Sequence, residues 1–263
     1  MFREIIGRFG KPKDPPQPPS VEKPSIEERF EEFWEAHRED IKEELSAQLA
    51  VEEFSGRENL QEEAVVLGLE NERQFAFKVF QVVDSVLEGS NKTALLLWDV
   101  DGTLGYGLDA GKGQVRTVLR PVIKSLFAEF LNPLIKEKKL NMGLMSTRGK
   151  QALTEQLEDP QNLQPLKPYF NRRFIFSAND YESGISEGVI REASEDFRPT
   201  MCDQAKITSL SGIRKQLPLE IPIIVADDDR YSQFLNYGNN LYGIDVSDCP
   251  TRAPYEYHAR LTK

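Results

Sequence analysis

From residue 94 onward, short apolar runs alternate with helix-length amphipathic stretches, and three of those runs end abruptly in carboxylates or hydroxyls. The run at 94–98 (ALLLW) leads into Asp99-Val100-Asp101-Gly102-Thr103-Leu104, the run at 142–145 into Ser146-Thr147, and the run at 221–226 into Asp227-Asp228-Asp229. Apolar stretches this short, with no polar alternation, read as strands buried on both faces. Two further strands are expected at 173–177 and 241–244. Helices are expected at 120–138, with Pro121 in the first turn, and at 150–157, 205–216 and 231–237. Strands alternating with helices predict an α/β fold, a mostly parallel sheet with helices on both faces that binds ligands beyond the carboxyl ends of its strands. The polar residues sit at those ends. Lys206, 21 residues before Asp227, is read as opening its helix.

Upstream the texture differs. Residues 1–10 (MFREIIGRFG) place Phe2, Ile5, Ile6 and Phe9 at helical spacing, but so short a stretch is a marginal helix and reads as a chain end before it reads as a membrane-surface anchor. Six prolines from Pro12 to Pro24 read as a spacer. Ser25 with Glu28 forms a capping-box signature, and Phe30, Phe33, Trp34, Ile41, Leu45 and Leu49 recur at helical steps. A second helical pattern over 58–87 carries Phe75, Val79, Phe80, Val83, Val86 and Leu87 on one side. The chain therefore divides into a proline-rich segment (1–24), an acidic helical hairpin (25–90) and an α/β domain (91–263). Nothing suggests an internal repeat.

Charge and composition narrow the classes of function. Between Ser25 and Ala64 there are fourteen Asp and Glu against four Lys and Arg, which accounts for the whole net charge of −10. That acidic stretch reads as a solvated helix face, with a protein partner for the N-terminal region as the second reading. Clustered positive charge, the usual footprint of phosphate-backbone binding, is missing, so nucleic acid is not an expected partner. No apolar run approaches the roughly 20 residues of a membrane span. With no signal-peptide pattern and only Cys202 and Cys249, the expectation is a reduced, cytoplasmic protein.

Several carboxylates converging at one sheet edge repel each other, and some must take up protons unless a cation binds among them. All-oxygen ligands suit Mg²⁺. With the cation present, a carboxylate can attack a phosphoryl group while a neighbouring one moves the proton, and a lysine, a serine hydroxyl and the N–H groups around Gly102 can hold the phosphoryl oxygens.

The sequence WDVDGTL resembles motif I of the haloacid dehalogenase superfamily. GLMS ending at Ser146 resembles motif II, Lys206 the motif III lysine, and IIVADD ending at Asp227 and Asp228 the acidic motif IV. The resemblance covers roughly residues 92–246 and implies a Rossmann-like core and phosphatase chemistry. It implies Asp99 as the nucleophile that forms an aspartyl-phosphate, and Asp101 as general acid and then base. Gly102, Thr103 and Ser146 would bind the phosphoryl group, with Thr147 able to replace Ser146, and Lys206 would steady the charge, with Lys150 and Lys215 as rivals. Mg²⁺ would sit on Asp99, the Asp101 backbone carbonyl, Asp227 and Asp228. Ala226 stands where glycine is frequent in motif IV, and Arg230 where a later Asp often sits.

Residues 105–119 (GYGLDAGKGQVRTVL) read as a β-hairpin flap turning near 111–113, too short for a helical cap, and the interval from Thr147 to Lys206 has room for only a small insert. An open site is expected, for which the N-terminal hairpin is a candidate lid. The substrate class is a phosphorylated small molecule or protein. The alternative is a non-catalytic binding or scaffold protein that works through its N-terminal helices.

Overall fold

A computed structural model describes residues 24–50, 54–111, 114–177, 189–190 and 199–262. The apolar N-terminal residues and nearly all of the proline spacer, the flap tip at 112–113 and most of the polar loop after residue 177 lie outside the described residues.

Two long helices come first, α1 (Ile26–Leu49) and α2 (Glu58–Glu88). Ser25 caps α1 as expected: its hydroxyl accepts from the Glu28 N–H at 3.1 Å, and the Glu28 carboxylate accepts from the Ser25 N–H at 2.7 Å. The strands follow: β1 (Ala94–Trp98), the flap strands β2 (Gly105–Gly111) and β3 (Gln114–Leu119), β4 (Leu140–Ser146), β5 (Ile175–Ser177), β6 (Ile223–Asp227) and β7 (Leu241–Asp245). All strands but the flap pair form one parallel sheet in the order β5-β4-β1-β6-β7, so the expected α/β architecture is present. Trp98 pairs with Leu144 on one side and Ala226 on the other, which brings the polar ends of β4, β1 and β6 side by side.

Strand alternation divides the core in two. Ala94, Leu96 and Trp98 face a cluster that includes Phe30, Phe75, Val79, Phe80 and Phe127, whereas Leu95 and Leu97 face α6 (Met201–Gln216) through Ile207, Leu210 and Ile213. Helices thus cover both faces. The Trp98 ring lies 6.2 Å from Phe75 and 5.2 Å from Phe127, the core role its position implied. The hairpin shares this core with the sheet and lies on the face opposite the one that Asp99, next in alternation, presents to α6. The lid expectation is overturned. The reason is the apolar face of the hairpin, which is buried against the sheet and cannot also cover the strand ends.

A buried ion pair ties the two together. Arg120 Nε donates to Glu72 Oε1 at 3.1 Å, its Nη2 donates to the Cys249 carbonyl at 2.6 Å, and its guanidinium lies 3.8 Å from the Phe75 ring centroid. Glu72 Oε2 accepts from the Val122 N–H at 3.1 Å. Residue 120 is therefore a clamp and not the start of a helix. Helix begins at Ile123 as α3 (Ile123–Ser125), widens into a π turn over Leu126–Leu131 and continues as α4 (Asn132–Lys136). The Asn132 N–H reaches back to the Phe127 carbonyl, next to Pro133, which has no N–H to keep the tighter ladder. The expected helix at 231–237 is two short 3₁₀ segments, Arg230–Phe234 and Tyr237–Asn239. There the Ser232 hydroxyl donates to the Asp229 carbonyl and the Asn236 side chain accepts from the Gly238 N–H, local bonds that compete with a helical ladder. The remaining helices are α5 (Lys150–Glu158) and an unanticipated α7 (Pro254–Leu261), whose Tyr257 packs against Leu45, Leu49 and Phe54.

Candidate active site

The carboxyl ends of β1, β4 and β6 bring together most of the residues singled out in the sequence. Asp99 continues β1, and its N–H donates to the Ala226 carbonyl at 3.0 Å, which fixes it beside Asp227 at the end of β6. Carboxylate oxygens of Asp99, Asp227 and Asp228 all lie within 4.8 Å of one another, the first two buried and the third half-buried. Lys206 reaches this cluster from α6, with its Nζ 3.4 Å from Asp99 Oδ2, 2.9 Å from Asp227 Oδ1 and 2.7 Å from Asp229 Oδ2. Its rivals are elsewhere: Lys150 and Lys215 are exposed on the surface. Lys206 does not open its helix, however. A capping box of Thr200 and Asp203 starts α6 at Met201 and places Lys206 in the second turn.

Burial works against this much negative charge. It raises the Asp99 carboxyl well above the ordinary range, Asp227 and Asp228 add to the effect, and Lys206 opposes it. Asp227 is raised by burial against the pull of Lys206, the Asp229 N–H and the Tyr231 hydroxyl. Asp228 is pushed up to about 6 by burial and then by Asp227. For Lys206 burial favours the neutral amine, but Asp99, Asp227 and Asp229 together outweigh it and hold the ammonium firmly protonated. One ammonium among four carboxylates leaves the cluster short of positive charge. Three converging hard oxygen donors in that condition fit a divalent cation such as Mg²⁺, which Asp99, Asp227 and Asp228 could hold.

The loop after β1 is shaped around this cluster. Gly102 adopts φ +78°, and a Cβ there would run into the Asp228 carboxylate, so both conformation and space call for glycine. The Gly102 N–H donates to the Gly105 carbonyl at 2.8 Å, and the Gly102 carbonyl accepts from the Thr251 N–H at 3.2 Å. Thr103 is buried, and its hydroxyl finds no partner among the described residues. Ser146, buried at the end of β4, accepts from the Arg148 N–H at 3.3 Å. It does not cap α5, whose N-cap is Gly149. Thr147, next to it, is half-buried.

Asp101 stands apart from the acidic cluster. Arg148 Nε donates to Asp101 Oδ2 at 2.8 Å and Nη2 donates to Oδ1, a two-point pair, while Nη1 reaches the Thr117 hydroxyl of β3 at 3.3 Å. Asp229 was marked only as the last carboxylate of its run, with no role, and no sequence signal marked Arg148, Thr117 or Tyr231. Arg148 follows Ser146 and Thr147 in the chain, so proximity to a motif was its only clue. Tyr231 is fully buried and its hydroxyl donates to Asp227 Oδ2 at 2.7 Å, fixing the second oxygen of that carboxylate.

No family model, curated protein or solved structure matches the chain. Among the described residues, no helix is long and apolar enough to cross a membrane.

Proposed function

We propose that the chain is a Mg²⁺-dependent phosphohydrolase of the haloacid dehalogenase type, with a Rossmann-like core, acting on a phosphomonoester of a small molecule or protein. The observation that supports this most is the meeting of Asp99, Asp227 and Asp228 within 4.8 Å, with Lys206 3.4 Å from Asp99. Asp99, Lys206 and the Asp227–Asp228 pair come from three separate stretches of the chain, and their meeting supports the reading of WDVDGTL, Lys206 and IIVADD as resembling superfamily motifs.

When bound, Mg²⁺ would supply positive charge that offsets both the carboxylates and the incoming phosphoryl oxygens. Lys206, held protonated, pulls Asp99 towards its ionised form against burial and the neighbouring carboxylates, a pull that a bound cation would reinforce. Asp99 attacks phosphorus to form the aspartyl-phosphate, and the departing alkoxide takes a proton from Asp101. In the second half Asp101 takes a proton from water, the water attacks the aspartyl-phosphate, and Asp99 and inorganic phosphate are released. The Ser146 hydroxyl and the Thr103 N–H hold phosphoryl oxygens, while the Gly102 N–H, spent on the Gly105 carbonyl, shapes the turn. Burial of the hairpin's apolar face against the sheet leaves the scaffold alternative only the acidic, exposed face for a partner.

Hydrolysis of an aryl phosphate with Mg²⁺ and with EDTA, beside Asp99→Asn, tests the proposal. Turnover is expected only with the metal and is expected to vanish in the variant. A folded wild-type protein that releases no phosphate under either condition would overturn the enzymatic reading in favour of a binding protein.

A further inference from the structure

We infer that Arg148 selects the substrate by receiving a second oxyanion, a carboxylate or phosphate on the leaving-group side of the phosphomonoester, and that Asp101 occupies it until that group arrives. The inference rests on the phosphohydrolase reading and assigns it a narrower substrate class. Lys206 is already engaged by Asp99, Asp227 and Asp229 at 2.7 to 3.4 Å, so it has little to offer an arriving ligand. Arg148 is a second cation that the described residues bring to this end of the sheet. Its side chain is 15% exposed, and its planar fork already grips a carboxylate in the geometry that suits oxyanions. Among the described residues its contacts use one N–H on each Nη, so each Nη keeps a second donor.

The position of Arg148 sets which part of the substrate it meets. It lies between Asp101, the residue that serves the leaving group, and Thr117 of the flap. The flap there is pinned: the Thr117 N–H donates to Asn162 Oδ1 at 2.6 Å and Arg116 Nε donates to the Gln161 carbonyl at 3.1 Å. Arg148 is thus held on a fixed wall, a preorganised receptor. Its partner is the movable one, since the Asp101 side chain is 49% exposed. An incoming oxyanion exchanges one carboxylate-like partner for another and frees Asp101, which then takes a proton from solvent and passes it to the leaving group.

The test compares phenyl phosphate with 4-(phosphonooxy)benzoate, which carries an added carboxylate, in phosphate release and in calorimetric binding to the Asp99→Asn protein with Mg²⁺. Wild type is expected to favour the carboxylated compound in kcat/KM, and the Asp99→Asn protein to favour it in affinity, each on the order of tenfold or more, the scale of one charged hydrogen-bonded contact. Arg148→Ala should erase the ratio in both arms, and Arg148→Lys should restore part of it. A cooperative melt establishes that each variant is folded. Equal handling of the two compounds by wild type, or a preference that survives Arg148→Ala, overturns the inference while leaving phosphatase chemistry standing. No phosphate release from either compound, with the binding preference present and lost in Arg148→Ala, would sink the phosphatase reading and keep the receptor.

Discussion

Asp228 carries the clearest signature of the strain in the acidic cluster. An ordinary Asp titrates near 3.8, and burial followed by repulsion from Asp227 pushes this one up to about 6. The folded state therefore holds the proton more tightly than the unfolded chain, and the stabilisation this gives is complete at pH below 3.8 and fades as pH rises towards 6. Without metal, wild type should lose stability across that window relative to Asp228→Asn, and saturating Mg²⁺ should reverse the difference near neutral pH. Melting temperatures of both proteins from pH 4 to 8, with EDTA and with Mg²⁺, check this; parallel curves would contradict it. At this scale Asp99, Asp227, Asp228 and Lys206 were legible because each carries a motif and strand ends set where the first three go. Arg148 and Tyr231 were not, since what makes them matter is the direction of a side chain across the fold, to Asp101 and Asp227.

Between elements, the contact most sensitive to mutation is the Glu72–Arg120 pair joining α2 to the segment after β3. Burial raises the Glu72 carboxyl despite Arg120, so the pair is held by geometry more than by ease of ionisation. Glu72→Ala leaves a buried guanidinium uncompensated and should cost about 3–5 kcal/mol, whereas replacing both partners with apolar residues of similar size should cost far less. Urea denaturation of the single and double variants measures this. The exposed Lys124–Glu44 pair is the control, expected to contribute no more than about 1 kcal/mol. The clamp was hidden in the sequence because Glu72 looks like its many acidic neighbours on a helix read as a solvated face. The strands were visible as short apolar runs without alternation, and most helices through their periodicity. The early start of α6 was missed because the Thr200–Asp203 box lies four residues before the apolar pattern becomes clear.

For the molecule as a whole, the alternation of strands and helices made the sheet legible, but which of its faces the hairpin covers was not, because both are equally apolar. Phe30, Phe75, Val79 and Phe80 complete the core over Leu96 and Trp98, so removing residues 25–90 should leave that sheet face covered only in part, by Phe127 and its neighbours. The shortened chain is expected to be recovered as aggregate; a soluble product with a cooperative melt would refute the shared core. Order of synthesis gives this arrangement a further consequence. The contacts between α1 and α2 lie within residues 26–88, whereas Leu95 must wait for Asn141 of β4 and then for Ile223 of β6. On the ribosome the hairpin is complete before the first strand emerges, and parallel sheets are slow to close and prone to stick to one another while open. Residues 25–90 are thus made in time to cover β1 as it emerges, so the order of the chain and the order of its core agree.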